Sequence, residues 1–140
     1  MGTFIVGQHK YTVSKQEETW TNAKLRCISI GGHLLTLTNQ MEWRFVVEKL
    51  SNMELPPKRV WFGIKKMDNN GDFKQCSYSN NWENVTFSAF DSQYMGFYNT
   101  MQMCASMDSK GEMRMESCDG MRKAVCKSKG KTQFTAPLLN

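Results

Sequence analysis

The five cysteines constrain this chain more than any other feature of its sequence. They are Cys27, Cys76, Cys104, Cys118 and Cys126. No two of them are spaced as Cys-x-x-Cys, so a zinc ribbon or a thioredoxin-type redox motif is excluded. Several cysteines in a chain of one-domain length are typical of a secreted, disulfide-bonded domain. Because the number is odd, at least one cysteine is either a free thiol or bonded to another chain. The spacing alone does not identify which cysteine that is.

The residues that usually carry catalysis are not arranged for it here. His9 and His33 are too few and too far apart in the sequence to indicate a metal cluster. No cysteine lies in a signature of a Cys–His nucleophile pair. Paired carboxylates, a Ser-His-Asp order and phosphate-binding glycine loops are also missing. We therefore expect a binding protein rather than an enzyme, with no cofactor and no bound metal.

The charge and hydrophobicity of the chain limit its partners. The net charge is +5, and the basic residues occur in scattered pairs such as Lys58-Arg59 and Arg122-Lys123. Such scattering is typical of a solvated surface, and it also suits an acidic partner such as a sulfated or sialylated glycan. The sequence contains no dense basic segment with interleaved aromatic residues, so we do not expect it to bind nucleic acid. No apolar run approaches the roughly 20 residues of a membrane span, so a secretion signal or anchor would lie outside this chain.

Two helices are predicted from capping and periodicity. Ser14 and Glu17 form a capping box. After it, apolar residues recur at helical spacing, and Gly31-Gly32 ends the pattern. The stripe consists of Trp20, Ala23, Cys27 and Ile30. Asn39 and Glu42 mark the start of a second helix, which Pro56-Pro57 would stop.

Strands and loops account for the rest of the chain. Val60–Ile64 has strand composition, and residues 68–72 are rich in turn formers. Residues 76–100 lack periodicity, and a loop of that length is usually functional. Alternating Met residues indicate two later strands, in which these side chains would pack inward. We expect one domain over residues 1–128 and a mobile tail over residues 129–140.

Three motifs carry a resemblance to a known family. Trp20 to Cys27 is spaced Trp-x-x-Ala-x-x-x-Cys, residues 32–37 read Gly-His-Leu-Leu-Thr-Leu, and residues 61–64 read Trp-Phe-Gly-Ile. These motifs resemble those of the C-type lectin-like domains in their short form. There is further likeness to natural-killer-type receptors and snake-venom lectin-like subunits. The resemblance covers about residues 8–128 and implies an α+β fold, with two helices flanking small antiparallel sheets and a long loop region.

The resemblance also implies a disulfide pattern and an extracellular location. Family members pair cysteines at the positions of Cys27 with Cys126 and of Cys104 with Cys118. Cys76 is then the residue left over: it is unpaired, in an interchain bond, or paired with a cysteine elsewhere in a longer protein. The segment Lys74–Ser77 is similar to the part of venom subunits that forms such a bond between two chains.

Calcium-dependent family members coordinate Ca²⁺ through a loop triplet such as Glu-Pro-Asn and a Trp-Asn-Asp triplet on a later strand. Here the corresponding segments read Glu83–Ser88, which contains no proline, and Met113-Arg114-Met115. A hard cation requires six to eight oxygen ligands, which Arg and Met side chains do not supply. We therefore expect no calcium-coordinated sugar.

Members that lack the calcium ligands commonly bind proteins. Aromatic, Met and Arg side chains are enriched in interface cores, and the loop region is rich in them. The predicted ligand-binding residues are Phe87, Phe90, Tyr94, Met95, Phe97, Tyr98 and Arg114. Asn84 begins an N-glycosylation sequon on the same segment.

Three functions follow from the sequence. The first is a calcium-independent recognition module of a cell-surface receptor or secreted protein, which binds a protein partner through the long-loop face. The second is calcium-independent binding of an acidic polysaccharide. The third is a toxin-like subunit that forms a homo- or heterodimer through Cys76.

Overall fold

The computed structural model describes residues 2–66, 73–77, 81–87 and 103–130, and these contain two helices and nine strands. In chain order the elements are β1 (Gly2–Val6), β2 (His9–Val13), α1 (Trp20–Ser29), β3 (His33–Leu34), α2 (Gln40–Ser51), β4 (Arg59–Lys66), β5 (Phe73–Cys76), β6 (Trp82–Asn84), β7 (Met103–Asp108), β8 (Met113–Ser117) and β9 (Lys123–Lys129). Neither helix is long and apolar enough to cross a bilayer; the longer, α2, has 12 residues.

Helix α1 is present, but the predicted cap is wrong. Its N-cap is Thr19, whose hydroxyl accepts a hydrogen bond from the backbone N–H of Asn22. The hydroxyl of Ser14 instead accepts from the backbone N–H of Ala124, at 2.9 Å. Ser14 therefore attaches the segment before the helix to β9. Ile30, placed in the buried stripe by its spacing, lies just past the last turn and is 55% exposed.

Helix α2 begins as predicted. The side chain of Asn39 accepts from the backbone N–H of Glu42 at 2.9 Å. Val46 and Leu50 face the core. The predicted stop at the proline pair is wrong. The helix ends at Ser51, and its C-cap residue Asn52 has φ −93° and ψ 2°.

The sheet is organised around β4, which pairs with three strands. It runs parallel to β9 and antiparallel to β5 and β7. The path of neighbours is β1-β2-β9-β4-β5-β6, with β3 attached to β9 and β8 attached to β7. The hairpin β1–β2 was not predicted, since its strands are short and only Tyr11 and Val13 of its side chains are buried.

Apolar residues on both faces of the sheet form two cores. Along β4, Val60, Phe62 and Ile64 face the larger core beneath α2, while Trp61 faces a second core beneath α1. Alternation of side chains along a strand produces this division. It also explains why β4 reads as a continuous apolar run, since both its faces are covered.

Both expected disulfides are present. Cys27 bonds to Cys126 across 99 residues of sequence, and Cys104 bonds to Cys118 across 14. The first joins α1 to β9, so it closes almost the whole domain. Cys76 takes part in neither bond, and its side chain is buried. The α+β fold with two helices and two intradomain disulfides is confirmed.

Some predictions lie outside the described residues. These are the turn at 68–72, most of the long loop, and the tail beyond residue 130. At the expected boundary, β9 continues to Lys129, and the N–H of Gly130 donates to the carbonyl of Gln8 at 2.7 Å. The first residues of the predicted tail therefore belong to the sheet.

Candidate functional site

Strand β8 carries the three residues that correspond to the family's Trp-Asn-Asp calcium triplet. Met113 is completely buried and Met115 is 4% exposed, and both face the core beneath α2. Met103 on β7 is also buried there, as its strand pattern predicts. Arg114 alternates with the two methionines, so its side chain is on the opposite face, where it is half-buried.

Arg114 belongs to a cluster of charged side chains. It lies directly opposite Ser106 in the β7–β8 register. Arg59 donates from Nε to the Ser106 hydroxyl at 2.8 Å, and Arg122 donates from Nη2 to Glu116 at 2.9 Å. The Ser106 hydroxyl in turn donates to the Glu116 carboxylate. We call these five residues the arginine cluster.

Electrostatics within the arginine cluster follow from this geometry. Burial would raise the pKa of Glu116, but hydrogen bonds from Arg122 and Ser106 outweigh it and hold that pKa below its ordinary 4.5. Burial lowers the pKa of Arg59, and the nearby positive charge of Arg114 lowers it further. Asp108 also lies near the cluster, with its Oδ2 3.7 Å from Nη1 of Arg59, so three guanidiniums face two carboxylates and an excess of one positive charge is left.

The residues at the family's calcium positions do not fit a calcium ion. Arg114 is a cation, and the flanking methionines are buried, so residues 113–115 offer no side-chain oxygen. On β6, Glu83 accepts a hydrogen bond from the Gln75 amide, and Asn84 accepts one from Lys74, each at 2.7 Å. Among the described residues, no group of three or more His, Cys, Asp or Glu side chains is placed to hold a metal.

The long loop begins later than predicted, because Cys76 ends β5 and Trp82–Asn84 form β6; Phe87 is the last described residue before it. Its ring centroid is 6.1 Å from that of Trp43, and it packs against the core beneath α2. Trp43 in turn donates from Nε1 to the carbonyl of Gly111 at 3.0 Å. One residue earlier, the Thr86 hydroxyl donates to the carbonyl of Leu37 at 2.5 Å. These contacts fix the chain where the loop begins.

The two predicted ligand-binding residues that the structure describes do not share one surface. Phe87 is on the α2 side of the sheet, whereas Arg114 is on the other side. Five further residues lie outside the described ranges: Phe90, Tyr94, Met95, Phe97 and Tyr98. The role of all seven in ligand contact stays a prediction.

Cys76 and Asn84 differ in access. The Cys76 side chain has no exposed surface, and burial raises the pKa of its thiol. Asn84 is exposed on β6, as a glycosylation acceptor must be.

A groove between α1 and the outer face of β1, β2 and β9 was not predicted. Its volume is about 550 Å³. Its walls come from segments more than 100 residues apart, for instance Lys10 and Ser128, so no local sequence motif marks it. Only the alternation of polar residues along β2 could have indicated that this face is solvated.

Comparison with known proteins agrees with this architecture. Residues 16–128 match the family model described as Lectin C-type domain. Mouse lymphocyte antigen 75 is 25% identical over 121 residues, which is 86% of this chain and 7% of that protein. The chain therefore spans a small part of that relative.

Solved structures show the same fold. Human lithostathine superposes with a TM-score of 0.75 at 22% identity, covering 92% of this chain and 98% of that one. A calcium-independent type II antifreeze protein superposes with a TM-score of 0.73 at 17% identity, covering 91% and 92%.

Proposed function

Since the chain belongs to the C-type lectin domain family, we propose that it is a calcium-independent extracellular recognition module that binds a protein partner through its long-loop face. The module would be the ligand-binding part of a cell-surface receptor or secreted protein, and it would bind rather than catalyse. The Met113-Arg114-Met115 segment of β8 carries the proposal. It replaces the oxygen ligands of the family's calcium site with two buried thioethers and a cation.

The arginine cluster adds to the case against calcium. Arg114 stands at one of those ligand positions, with Arg59 and Arg122 in the same cluster, and a divalent cation there would meet their net positive charge. The antifreeze protein with this fold is calcium-independent by its own description, so the fold is compatible with function in the absence of the ion. Without calcium, the usual mode of sugar coordination is lost.

A protein partner fits the composition of the loop. Tyr, Phe and Met side chains supply large contact areas, and Met adapts to the shape of the partner. Phe87 holds the beginning of this segment on Trp43, so the segment starts from a fixed point. Pre-organisation of that kind reduces the entropy lost on binding.

The calcium part is tested by thermal unfolding of the oxidised protein in millimolar Ca²⁺ and in EDTA. An ion that binds the folded state stabilises it by RT ln(1 + [L]/Kd). The proposal predicts equal midpoints in the two buffers. A rise of about 5 °C in Ca²⁺, which corresponds to roughly 1–2 kcal/mol, would overturn it.

The partner part is tested by presenting the domain as a tetramer to an array of secreted and membrane ectodomains and to a glycan array. We expect ectodomain binding that persists in EDTA. The Tyr94→Ala/Phe97→Ala variant should lose it. Leu55→Ala is the matched control, since Leu55 is 79% exposed and lies outside the loop. Binding confined to the glycan array would refute the proposal.

The burial of Cys76 disfavours the alternative of a disulfide-linked dimer. A sulfur atom must be accessible to exchange with another chain, and this side chain has no exposed surface. Electrophoresis without reductant tests this alternative directly, and a band at twice the chain mass that Cys76→Ser abolishes would support it.

A further inference from the structure

The groove between α1 and the outer face of β1, β2 and β9 has the properties of a ligand site. Its volume of about 550 Å³ lies within the roughly 300–1,000 Å³ of small-molecule sites. One wall is the sheet, and the other is formed by the end of α1 with Arg26 and Ile30.

Strand alternation places polar side chains in the groove. Tyr11 and Val13 of β2 face the core, so Lys10 and Thr12 face the groove. The register extends this polar wall, since Ser128 of β9 is opposite Lys10 and Thr3 of β1 is opposite Thr12. Three hydroxyls and one ammonium group therefore lie on adjacent strands of one surface.

The charge of the groove has one sign. Lys10, Lys15 and Arg26 line it, and the described lining residues include no Asp or Glu. Arg26 is neutralised by Glu18, with Nε 2.6 Å from Oε2. Neither Lys10 nor Lys15 forms an ion pair with another part of the chain that the structure describes. Two positive charges are thus left for a ligand.

The hydroxyl groups are available as well. Within the described ranges, the side chains of Thr3, Thr12 and Ser128 form no hydrogen bond with the protein. Each hydroxyl can donate one hydrogen bond and accept two. The groove therefore combines two cations with three hydroxyls whose hydrogen-bonding capacity is unused.

From this chemistry we propose that the groove binds an acidic oligosaccharide. Lys10 and Lys15 contact its sulfate or carboxylate groups, and Thr3, Thr12 and Ser128 hydrogen-bond to its hydroxyls. A charge-assisted hydrogen bond to an anionic oxygen is roughly twice as strong as a neutral one. A peptide fits less well. Among the described residues that line the groove, Ile30 is the single large apolar side chain, and protein interfaces require apolar or aromatic anchors.

The residues that line this site include neither of the two described residues of the proposed protein-binding face, Phe87 and Arg114. Its elements are α1, β1, β2 and β9, whereas the long loop connects Phe87 to β7. Failure of one proposal leaves the other untouched.

The test is calorimetric titration of the oxidised protein with a heparin-derived tetrasaccharide at low salt. The tetrasaccharide after removal of its sulfates and a tetraglutamate peptide serve as comparison ligands. Lys10→Ser/Lys15→Ser removes the two charges, and Thr12→Val removes one hydroxyl at nearly constant shape. Lys49→Ser/Lys58→Ser is the matched control, since it lowers the net charge equally at two exposed sites elsewhere.

We expect the affinity for the sulfated tetrasaccharide to fall about tenfold or more in Lys10→Ser/Lys15→Ser and about threefold in Thr12→Val. The control double variant should change it less than twofold. Thermal midpoints of all variants are measured first, and only variants that unfold within about 2 °C of the parent are compared.

Three results would overturn the proposal. Equal loss in the control variant would show that diffuse surface charge holds the ligand. Equal affinity for tetraglutamate would show that the groove's hydroxyls do not distinguish an oligosaccharide from an acidic peptide. Absence of binding by the parent protein at low salt would show that the groove is not a site for this class of ligand.

Discussion

Replacement of Lys127 or Glu42 should reveal how strongly one buried ion pair fastens α2 to the sheet. Lys127 is 3% exposed and Glu42 is 9% exposed, and Nζ lies 2.7 Å from Oε2. Lys127 also donates to the carbonyl of Thr36 at 3.1 Å. Glu42 accepts from the backbone and hydroxyl of Thr38, at 2.8 and 3.0 Å, and from the hydroxyl of Tyr11. The pair thus joins β2, α2 and β9.

The size of the effect follows from burial. Two unit charges at this separation attract by about 6 kcal/mol at an effective dielectric constant of 20. Desolvation of the two ions costs several kcal/mol each, so the intact pair contributes little net stability. Removal of one partner leaves the other charge buried, and that costs about 3–5 kcal/mol.

The two single variants should differ. Lys127→Met leaves Glu42 with its bonds from Thr38 and Tyr11, so we expect a loss of about 3 kcal/mol. Glu42→Gln leaves the Lys127 ammonium with the Thr36 carbonyl, and we expect about 4 kcal/mol. In the double variant no charge is stranded, so its loss should be smaller than the sum by about 1–3 kcal/mol.

Urea unfolding, followed by tryptophan fluorescence and by far-UV circular dichroism, measures these differences. Arg44→Met on the exposed face of α2 is the control and should change the free energy of unfolding by less than about 0.5 kcal/mol. Single losses below about 1 kcal/mol, or additive losses in the double variant, would refute the reasoning, because the charges would then be solvated or uncoupled.

The same pair gives a pH dependence. Burial would raise the pKa of Glu42, but the bonds from Lys127 and Tyr11 outweigh it, so the pKa lies below its ordinary 4.5. The unfolded chain therefore takes up a proton at a higher pH than the folded protein does. The stabilising contribution is complete above about pH 5 and is lost as the pH falls through the folded-state pKa. Lys127→Met should weaken this acid sensitivity.

Three further predictions concern other sites. Gly32→Ala should cost about 2–3 kcal/mol of stability, because the new Cβ would lie 2.4 Å from the carbonyl oxygen of Lys127. Gly120→Ala is the control and should be near neutral, since its nearest contact is 3.5 Å. Equal thermal unfolding midpoints for the two variants would contradict this. Burial lowers the pKa of His33 below 6.5, so the unfolded chain binds its proton first and stability should fall as the pH drops from about 7 to 5. His33→Gln should flatten that part of the profile, and an unchanged slope would exclude His33 as its source. Cys76 should react with iodoacetamide about a hundredfold more slowly in the native protein than in urea, since it is buried with a raised pKa; equal rates would show that it is accessible.

The sequence by itself determined the apolar face of α1 and the cap of α2, while its resemblance to the C-type lectin-like domains implied the fold and the two disulfides. The helical face and the cap depend only on spacings between residues that are close in the sequence. Trp20 and Cys27 fall on one helical face because of the 3.6-residue period. Asn39 caps α2 because its side chain reaches a backbone N–H three residues later. Local geometry of this kind needs no knowledge of the rest of the chain.

Tertiary structure decided whatever depends on contacts between distant residues. Ser14 could cap a helix by its local pattern, but Ala124, 110 residues away, offers its N–H and takes the hydroxyl instead. Phe87 and Arg114 are both of residue types that are enriched in interfaces, yet the sheet separates them. Phe87 packs on the α2 side, and Arg114 lies on the opposite face of β8 from its buried methionines.

The groove has the same origin. Lys10 and Ser128 become neighbours when β2 pairs with β9, and α1 then closes the other side. Each of these residues has an ordinary polar setting in the sequence, so no pattern distinguishes it from a solvated surface position. Strand pairing brings them together because backbone hydrogen bonds set the register, and that register is fixed by the hydrophobic pattern of both strands at once.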